Sequence, residues 1–284
     1  MPVITLTTDF GSLYPASLKA AILQVNENAN IIDITHSIPH ADIRAGAFTL
    51  YSVVDHFPVG TVHVAVVDPG VGTDRRAIAI HAGGQYFVGP DNGLLIPAAR
   101  KAGELKVYEI TNTKLFHDVS STFHGRDIFA PVGAYLLGAN HTGSNIISRL
   151  LDILSGARPE EVVRIEDVGK RIDDFVELDI EKIEVSESAI SGEVIFIDDF
   201  GNIITNIPQD VILDKTDFGS ELSIFGSEIP LLQTYGLVGE GDALALIGSH
   251  GFFEISINGG NAAKVFRIKN GDRVDVKLLV CALK

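Results

Sequence analysis

The residues with the plainest chemical potential lie between Val66 and Arg76, in the run VVDPGVGTDRR. An apolar, β-rich segment from Thr61 to Val67 (TVHVAVV) stops at a carboxylate, Asp68. Pro69, Gly70, Val71 and Gly72 follow, residues that turn a backbone and let it approach a ligand closely. Two guanidinium groups, Arg75 and Arg76, come next. An acid at a strand end, bare backbone and then fixed positive charge is how open α/β sheets build sites beyond the carboxyl ends of their strands. A strand, a Pro-Gly turn and a surface salt bridge account for the same fragment equally well, because turns of this composition are common.

Four further stretches place polar groups where strands or helices meet loops. Asp9 ends the first apolar run in TTDFG, and His124 lies in TFHGRD ahead of a helical pattern beginning near Ile128. Asp198 and Asn202 frame IDDFGN between two β segments, and Ser249 with His250 occupies GSHGF. Taken singly, each has a plainer explanation. Asp9 suits a helix cap, His124 a helix entry, Asp198 to Asn202 a hairpin turn and GSHG a surface turn.

The elements that must position these groups fall into two textures. The first half alternates. Strands are expected at Val3–Thr7, Asn30–Thr35, Thr61–Val67, Ala77–His81, Gln85–Val88 and Lys106–Ile110. Helices are expected at Ser17–Asn26, Ile43–Phe57, Gly93–Ala102 and Ile128–Leu137, from apolar residues recurring at helical spacing. Gly83-Gly84 between two β runs signals a hairpin. Alternation of this kind implies βαβ units and a mostly parallel sheet. Beyond about residue 165 helical periodicity is almost lost. Val176–Ile183, Ser191–Ile197, Ile203–Ile207, Glu221–Ile224, Ala243–Ile247, Phe253–Ile257 and Arg273–Leu279 read as short strands separated by Gly, Asp and Asn. The expected organisation is an N-terminal α/β domain over 1–165 and a smaller all-β barrel or sandwich over 166–284, with a helix and linker in Leu150–Glu166.

Composition narrows the function. The chain has 284 residues, 46% hydrophobic and 21% charged, as an ordinary soluble globular protein does. One cysteine, Cys281, excludes an intramolecular disulfide framework and fits a reducing cytoplasm. The start, MPVITLTTDFG, has no basic leader region, and no apolar run approaches the roughly 18 residues of a membrane span. A net charge of -15 argues against nucleic acid as a partner.

With these residues laid out, the chain resembles the S-adenosylmethionine hydrolases, the hydroxide adenosyltransferases related to the fluorinase and chlorinase enzymes. The resemblance runs end to end through seven motifs in order: TTDFG, THSIPHADIRAGA, VVDPGVGTDRR, VGPDNGLL, TFHGRDIFAP, IDDFGNIITNI and GSHGFFEISINGGNAA. It implies an N-terminal α/β domain and a C-terminal β-barrel. It also implies a homotrimer whose sites join the N-terminal domain of one subunit to the C-terminal domain of the next. Asp9 would accept hydrogen bonds from the ribose hydroxyls. Asp68, Arg75 and His124 match the three residues that distinguish the hydrolases and orient the attacking water. Phe123 would line the same pocket. Asn202 would bind the adenine edge, with Phe200 and the Asn261-Ala262 turn forming its slot. Asp198 and Ser249 would bind the amino and carboxylate ends of methionine. The chain departs from the halogenases in carrying Asp68 in place of their tyrosine, Gly125 in place of a serine that contacts halide, and His250, which the resemblance groups with the substrate-binding residues, in place of an arginine.

The chemistry agrees with those roles. Attack at the ribose C5′ of S-adenosylmethionine expels neutral methionine from a sulfonium, so the leaving group needs no general acid and the reaction no cofactor or metal. Holding the nucleophile in line becomes the main contribution. Asp68 can accept or polarise the water proton, Arg75 can fix that carboxylate in direction as a fork donor, and His124 can donate to the water or relay its proton. Three other classes compete. A zinc hydrolase would need His36 and His40 on one helix, which Pro39 forbids. A phosphate-loop enzyme would need a lysine that GVGTDR lacks. A sensor that binds S-adenosylmethionine without turnover would share the binding residues, and a halogenase using the same substrate is the nearest enzymatic alternative.

Overall fold

The computed structural model describes residues 3–139, 163–180 and 182–279. The described chain forms two compact units that divide between Leu178 and Asp179. The first unit is built on β1 (Val3–Thr8), β2 (Asn30–Thr35), β3 (Val62–Val66), β4 (Ala77–Ala82), β5 (Gln85–Pro90), β6 (Lys106–Ile110) and β7 (Gly169–Ile172), in the sheet order β2-β1-β3-β5-β4-β6-β7. Its expected parallel core is β2-β1-β3-β5. The Gly83-Gly84 hairpin, both residues at positive φ, turns β4 back antiparallel to β5, and β6 and β7 follow antiparallel. The sheet is therefore mixed, with its parallel half carrying the alternation that the sequence displays. All residues of β1 and β3 are buried, as expected of strands covered on both faces.

Helices α1 (Pro15–Val25), α2 (Ile43–Val53), α3 (Ile96–Ala102) and α4 (Ala130–Ala139) belong to this unit. Two begin with proline in the first turn, α1 at Pro15 and α3 at Pro97, where the missing N–H removes a donor that has no helical partner anyway. α2 is capped by Asp42, which accepts from Ala45 N at 2.9 Å. The helix expected from Ile128 is preceded by one π-helical turn, Gly125–Phe129, a form that concentrates at functional sites. Leu18, Ile22, Phe129, Val132 and Leu136 pack with Ile4, Leu6, Val64 and Val66 in one core. The helix and linker expected in Leu150–Glu166 fall mostly on residues 140–162, outside the described residues, and 165–168 form a 3₁₀ turn.

The second unit comprises β8 (Glu184–Val185), β9 (Ala189–Ile197), β10 (Ile203–Pro208), β11 (Glu221–Ile224), β12 (Ser227–Pro230), β13 (Ala243–Ile247), β14 (Phe252–Ile257) and β15 (Arg273–Leu278). Its main path, β12-β11-β15-β9-β10-β14-β13, is antiparallel throughout, and β8 pairs with β9. The two ends of that path meet where Leu231, just past β12, bridges Ala245 of β13, so the sheet is a nearly closed barrel. Val194, Ile203, Leu222, Phe253 and Val274 lie in its core. Short helices α5 (Gln209–Leu213) and α6 (Ala262–Phe266) interrupt the strands.

Among the described residues of Val176–Ile183 the expected strand does not form, and pairing with β9 begins at Glu184–Val185. At the start of this segment and just before it, backbone groups are held by side chains instead. Val176 N donates to Asp91 Oδ1 at 2.8 Å, and Asp174 O accepts from Arg76. Among the described residues, no helix is long and apolar enough to cross a membrane.

Candidate active site

The first unit's polar groups gather at the carboxyl edge of the parallel strands. β1 ends at Thr8, β3 at Val66, and Asp9 and Asp68 stand just beyond. Because β4 runs antiparallel to β5, with Ala77 opposite Pro90, its entry residues Arg75 and Arg76 lie at that same edge. Topology thus returns the arginines to the aspartate seven residues earlier. The turn between them is fixed by Val71 N donating to Asp68 O and by Thr73 closing on Gly70 O. Gly72 has φ +77 and faces the backbone oxygen of Ser121, which a Cβ would meet at 2.3 Å. Only glycine lets the loop that carries His124 come this close.

Arg75 joins the constellation. Its Nε donates to both Asp68 oxygens at 3.0 Å, and its Nη2 lies 2.5 Å from Asp68 Oδ2. The same Nη2 lies 2.9 Å from His124 Nδ1. The guanidinium also sits over the Phe129 ring, 5.1 Å from its centroid. Asp68 and Arg75 side chains are only 5% and 11% exposed, so solvent screens this pair weakly. A guanidinium can only donate, so His124 Nδ1 must accept, and the neutral ring carries its hydrogen on Nε2. Burial first, then the neighbouring Arg75 charge, push the His124 pKa below its ordinary value, against the opposite pull of Asp68 and Asp127.

Asp9 does not cap α1, whose N-cap is Tyr14 with no side-chain bond. Its Oδ2 accepts from Ala41 N at 3.0 Å and lies 3.3 Å from His40 Nδ1, which ties the 36–42 loop to the end of β1. Phe123 packs edge-on against Phe10 and Tyr14, each at 5.5 Å between centroids.

In the second unit, Asp198 and Asn202 pair with each other. Asp198 Oδ1 accepts from Phe200 N and Asn202 N, and its Oδ2 from Asn202 Nδ2 at 2.8 Å. That leaves Asn202 Oδ1 and a second lone pair on Asp198 Oδ2 as acceptors the pair can offer. Phe200 at the tip is 78% exposed. Asn261 caps α6 by accepting from Lys264 N, and Ala263 N donates to Gly201 O, so the 261–263 turn is fastened to the 198–202 loop. Ser249 is exposed in the turn after β13. His250 points inward: its Nδ1 accepts from Phe252 N and its Nε2 meets Glu254 Oε2, both at 3.2 Å.

The SAM hydroxide adenosyltransferase N-terminal domain matches residues 4–144, and the corresponding C-terminal domain matches residues 192–275. The chain belongs to the SAM hydroxide adenosyltransferase family. An (R)-S-adenosyl-L-methionine hydrolase from Salinispora tropica is 36% identical over 280 residues, covering 97% of both chains. One from Methanocaldococcus jannaschii is 34% identical, over 97% of this chain and 96% of its own. A fluorinase from Nocardia brasiliensis is more distant, at 27% identity over 98% and 97%. The crystal structure of an uncharacterized conserved protein from Thermotoga maritima superposes with a TM-score of 0.83 at 36% identity, covering 97% of this chain and all of its own.

Within each unit, further side chains hold the loops that carry these candidate residues. Asp91 anchors Arg76 through Nε at 2.9 Å, and Asn92 Nδ2 donates to Val67 O. Asp127 receives Ser120 N and Oγ and fixes the loop ahead of His124. Glu254 and Tyr235 make a 2.6 Å hydrogen bond beneath the 248–251 turn. Asp91 and Asp127 stand inside quoted motifs, PDNG and HGRD, and their positions were the available signal.

Proposed function

We propose that this chain hydrolyses S-adenosyl-L-methionine to adenosine and L-methionine. The observation that carries the reading is Arg75 joining Asp68 to His124, together with the near-full-length relatives named for that reaction. Water oxygen forms a bond to C5′ as the C5′–S bond breaks. The electron pair goes to sulfur, methionine leaves neutral, and one proton is released. A water that donates to Asp68 and accepts from His124 Nε2–H keeps one lone pair free for in-line attack. Asp68 is therefore the proton acceptor in this reading and His124 an orienting donor, since His124 Nδ1 is already engaged by Arg75. Asp9 binds the ribose hydroxyls through Oδ1, which has no partner among the described residues. Phe123 lines the pocket, Asn202 reads the adenine edge with Phe200 and the Asn261-Ala262 turn, and Asp198 and Ser249 take the methionine end.

The relatives' names specify the (R) sulfonium, and we extend that preference to this chain. The resemblance also supports a cytoplasmic homotrimer in which each site draws on two subunits. Exposed Leu13, Tyr14 and Phe200, at 71%, 51% and 78%, are apolar surface that such an assembly would cover. Incubating the purified protein with an epimeric mixture of S-adenosylmethionine tests the reaction. Adenosine and methionine should form with preferential loss of the (R) epimer, and tight binding without turnover would mark a sensor instead. Mixing Asp68→Ala and Asn202→Ala subunits should restore activity if sites are shared, and verified hybrids without activity would place each site within one chain.

A further inference from the structure

His250 follows Ser249, yet both of its ring nitrogens are occupied from within the second unit. Phe252 N–H donates to Nδ1, so the neutral ring carries its hydrogen on Nε2 and gives it to Glu254. Glu254 is 4% exposed on β14 and takes two further donors at Oε1: Tyr235 OH at 2.6 Å and Ser256 Oγ at 2.9 Å. A buried carboxylate meeting three donors is a satisfied charge and a rigid fixture. Burial pushes its pKa up, and the His250, Tyr235 and Ser256 hydrogen bonds more than offset that, leaving it below the ordinary value. Gly248 completes the packing, since a Cβ there would lie 2.2 Å from His250 Nε2 and 2.8 Å from Glu254 Oε2. The turn itself closes through Gly251 N to Gly248 O. Burial and the Glu254 hydrogen bond push the Tyr235 hydroxyl pKa up.

We propose that Glu254 is the positioning residue for the amino-acid end of the substrate, bracing His250 so that the adjacent Ser249 turn is held to receive the methionine carboxylate. This rests on the substrate assigned above. Glu254 touches no substrate atom. His250 is a strut, and the donor to the carboxylate is the Ser249 side of the turn. Glu254→Gln leaves one acceptor oxygen where the carboxylate had two and removes the charge, so His250, Tyr235 and Ser256 can no longer all donate to it and the turn loosens, while the adenosine-binding groups are untouched.

The test compares ligands with and without the amino-acid chain. In an Asp68→Asn background, where substrate survives a titration, the dissociation constants of S-adenosylmethionine and adenosine are measured by calorimetry. Adding Glu254→Gln should weaken S-adenosylmethionine about tenfold, the scale of one lost charge-assisted hydrogen bond, and leave adenosine within twofold. With Asp68 intact, KM should rise while kcat stays within twofold. Tyr235→Phe, which removes one hydroxyl from a partly exposed residue, should move the same ratio in the same direction and decides the matter if Glu254→Gln does not fold. Equal weakening of both ligands, no change in either, or a loss confined to kcat would overturn the proposal. Absence of turnover by the unmodified protein would instead overturn the proposed reaction, and the ratio of dissociation constants would still be readable.

Discussion

Arg75 Nη2 stands 2.9 Å from His124 Nδ1 and 2.5 Å from Asp68 Oδ2, so one guanidinium nitrogen bridges the imidazole and the carboxylate. The bridge divides their labour, because it consumes the lone pair with which His124 would otherwise accept a proton.

A pH profile follows from that geometry. Protonating His124 at Nδ1 would place a ring N–H against the guanidinium, and burial and Arg75 already push its pKa below 6.5. The kcat/KM of the native protein should therefore stay level down to pH 6.5, with its acid limb lying below that value. Arg75→Gln removes one of the two lowering influences and should carry the acid limb upward. An acid limb at or above 6.5 in the native protein, unmoved by Arg75→Gln, would contradict the tautomer assigned here.

Asp68→Asn keeps the side chain's shape and removes its charge. Turnover should fall by about 10²–10⁴, the usual contribution of a positioned base. Binding of S-adenosylmethionine, followed by calorimetry, should persist because Asp9, Asn202 and Ser249 are unchanged. Residual hydrolysis near the native rate would transfer the proton acceptor to another group.

Much of this arrangement is legible in the sequence where the cause is local. Gly83-Gly84 specifies its hairpin, and a strand ending at Asp68 with a Pro-Gly turn specifies the carboxylate's place at the sheet edge. Arg75 was legible as a partner because only seven residues separate it from Asp68. His124 was not legible as its partner from spacing, since 49 residues intervene and the approach depends on bare Gly72 against Ser121 O. Val176–Ile183 alternates like a strand, but Asp91 claims the backbone N–H of Val176 and Arg76 holds Asp174 O just before it, which no period-two pattern reveals. The inward rotation of His250 depends on Glu254 lying buried on the next strand, and GSHGFFE by itself permits either direction.

His63 supplies a stability test away from the site. Gln85 gives its amide N–H groups to Val54 O and Phe57 O, so its Oε1 must accept from His63 Nε2, and Nδ1 accepts from the Thr5 hydroxyl. Burial lowers the ring's pKa to about 4, partly opposed by the Gln85 bond. Between pH 6.5 and 4 the unfolded chain binds this proton and the folded chain does not. Stability from this group is thus full above about 6.5 and lost as pH falls, at about 1.4 kcal/mol per pH unit, or roughly 3 kcal/mol by pH 4. Urea unfolding at stepped pH should show a shallower decline between pH 6.5 and 5 for His63→Gln than for the native protein. Parallel declines would mean that other groups carry the acid sensitivity.

Chelation should leave hydrolysis intact. The sulfonium is already an activated leaving group, and in the proposed reaction Asp68 takes the released proton, so no step calls for a metal. Loss of turnover in EDTA, restored by a divalent metal, would require a different mechanism.

The last test concerns water against halide. A chloride held near C5′ would approach the Asp68 carboxylate. Two unit charges about 4 Å apart repel by roughly 4 kcal/mol at an effective dielectric of 20, near a thousandfold in affinity. Arg75, in salt-bridge contact with Asp68, cancels part of that penalty. Position 125 has little room for a side chain, because a Cβ there would lie 3.1 Å from the Phe10 Cζ atom and press on the ring. The native protein should form adenosine and no detectable 5′-chloro-5′-deoxyadenosine even in molar chloride. Gly125→Ser should not create chlorination while Asp68 keeps its charge, and it should slow hydrolysis by displacing Phe10 against Phe123. Chloroadenosine from the native protein, or from Gly125→Ser with Asp68 intact, would show that the carboxylate is not what excludes halide.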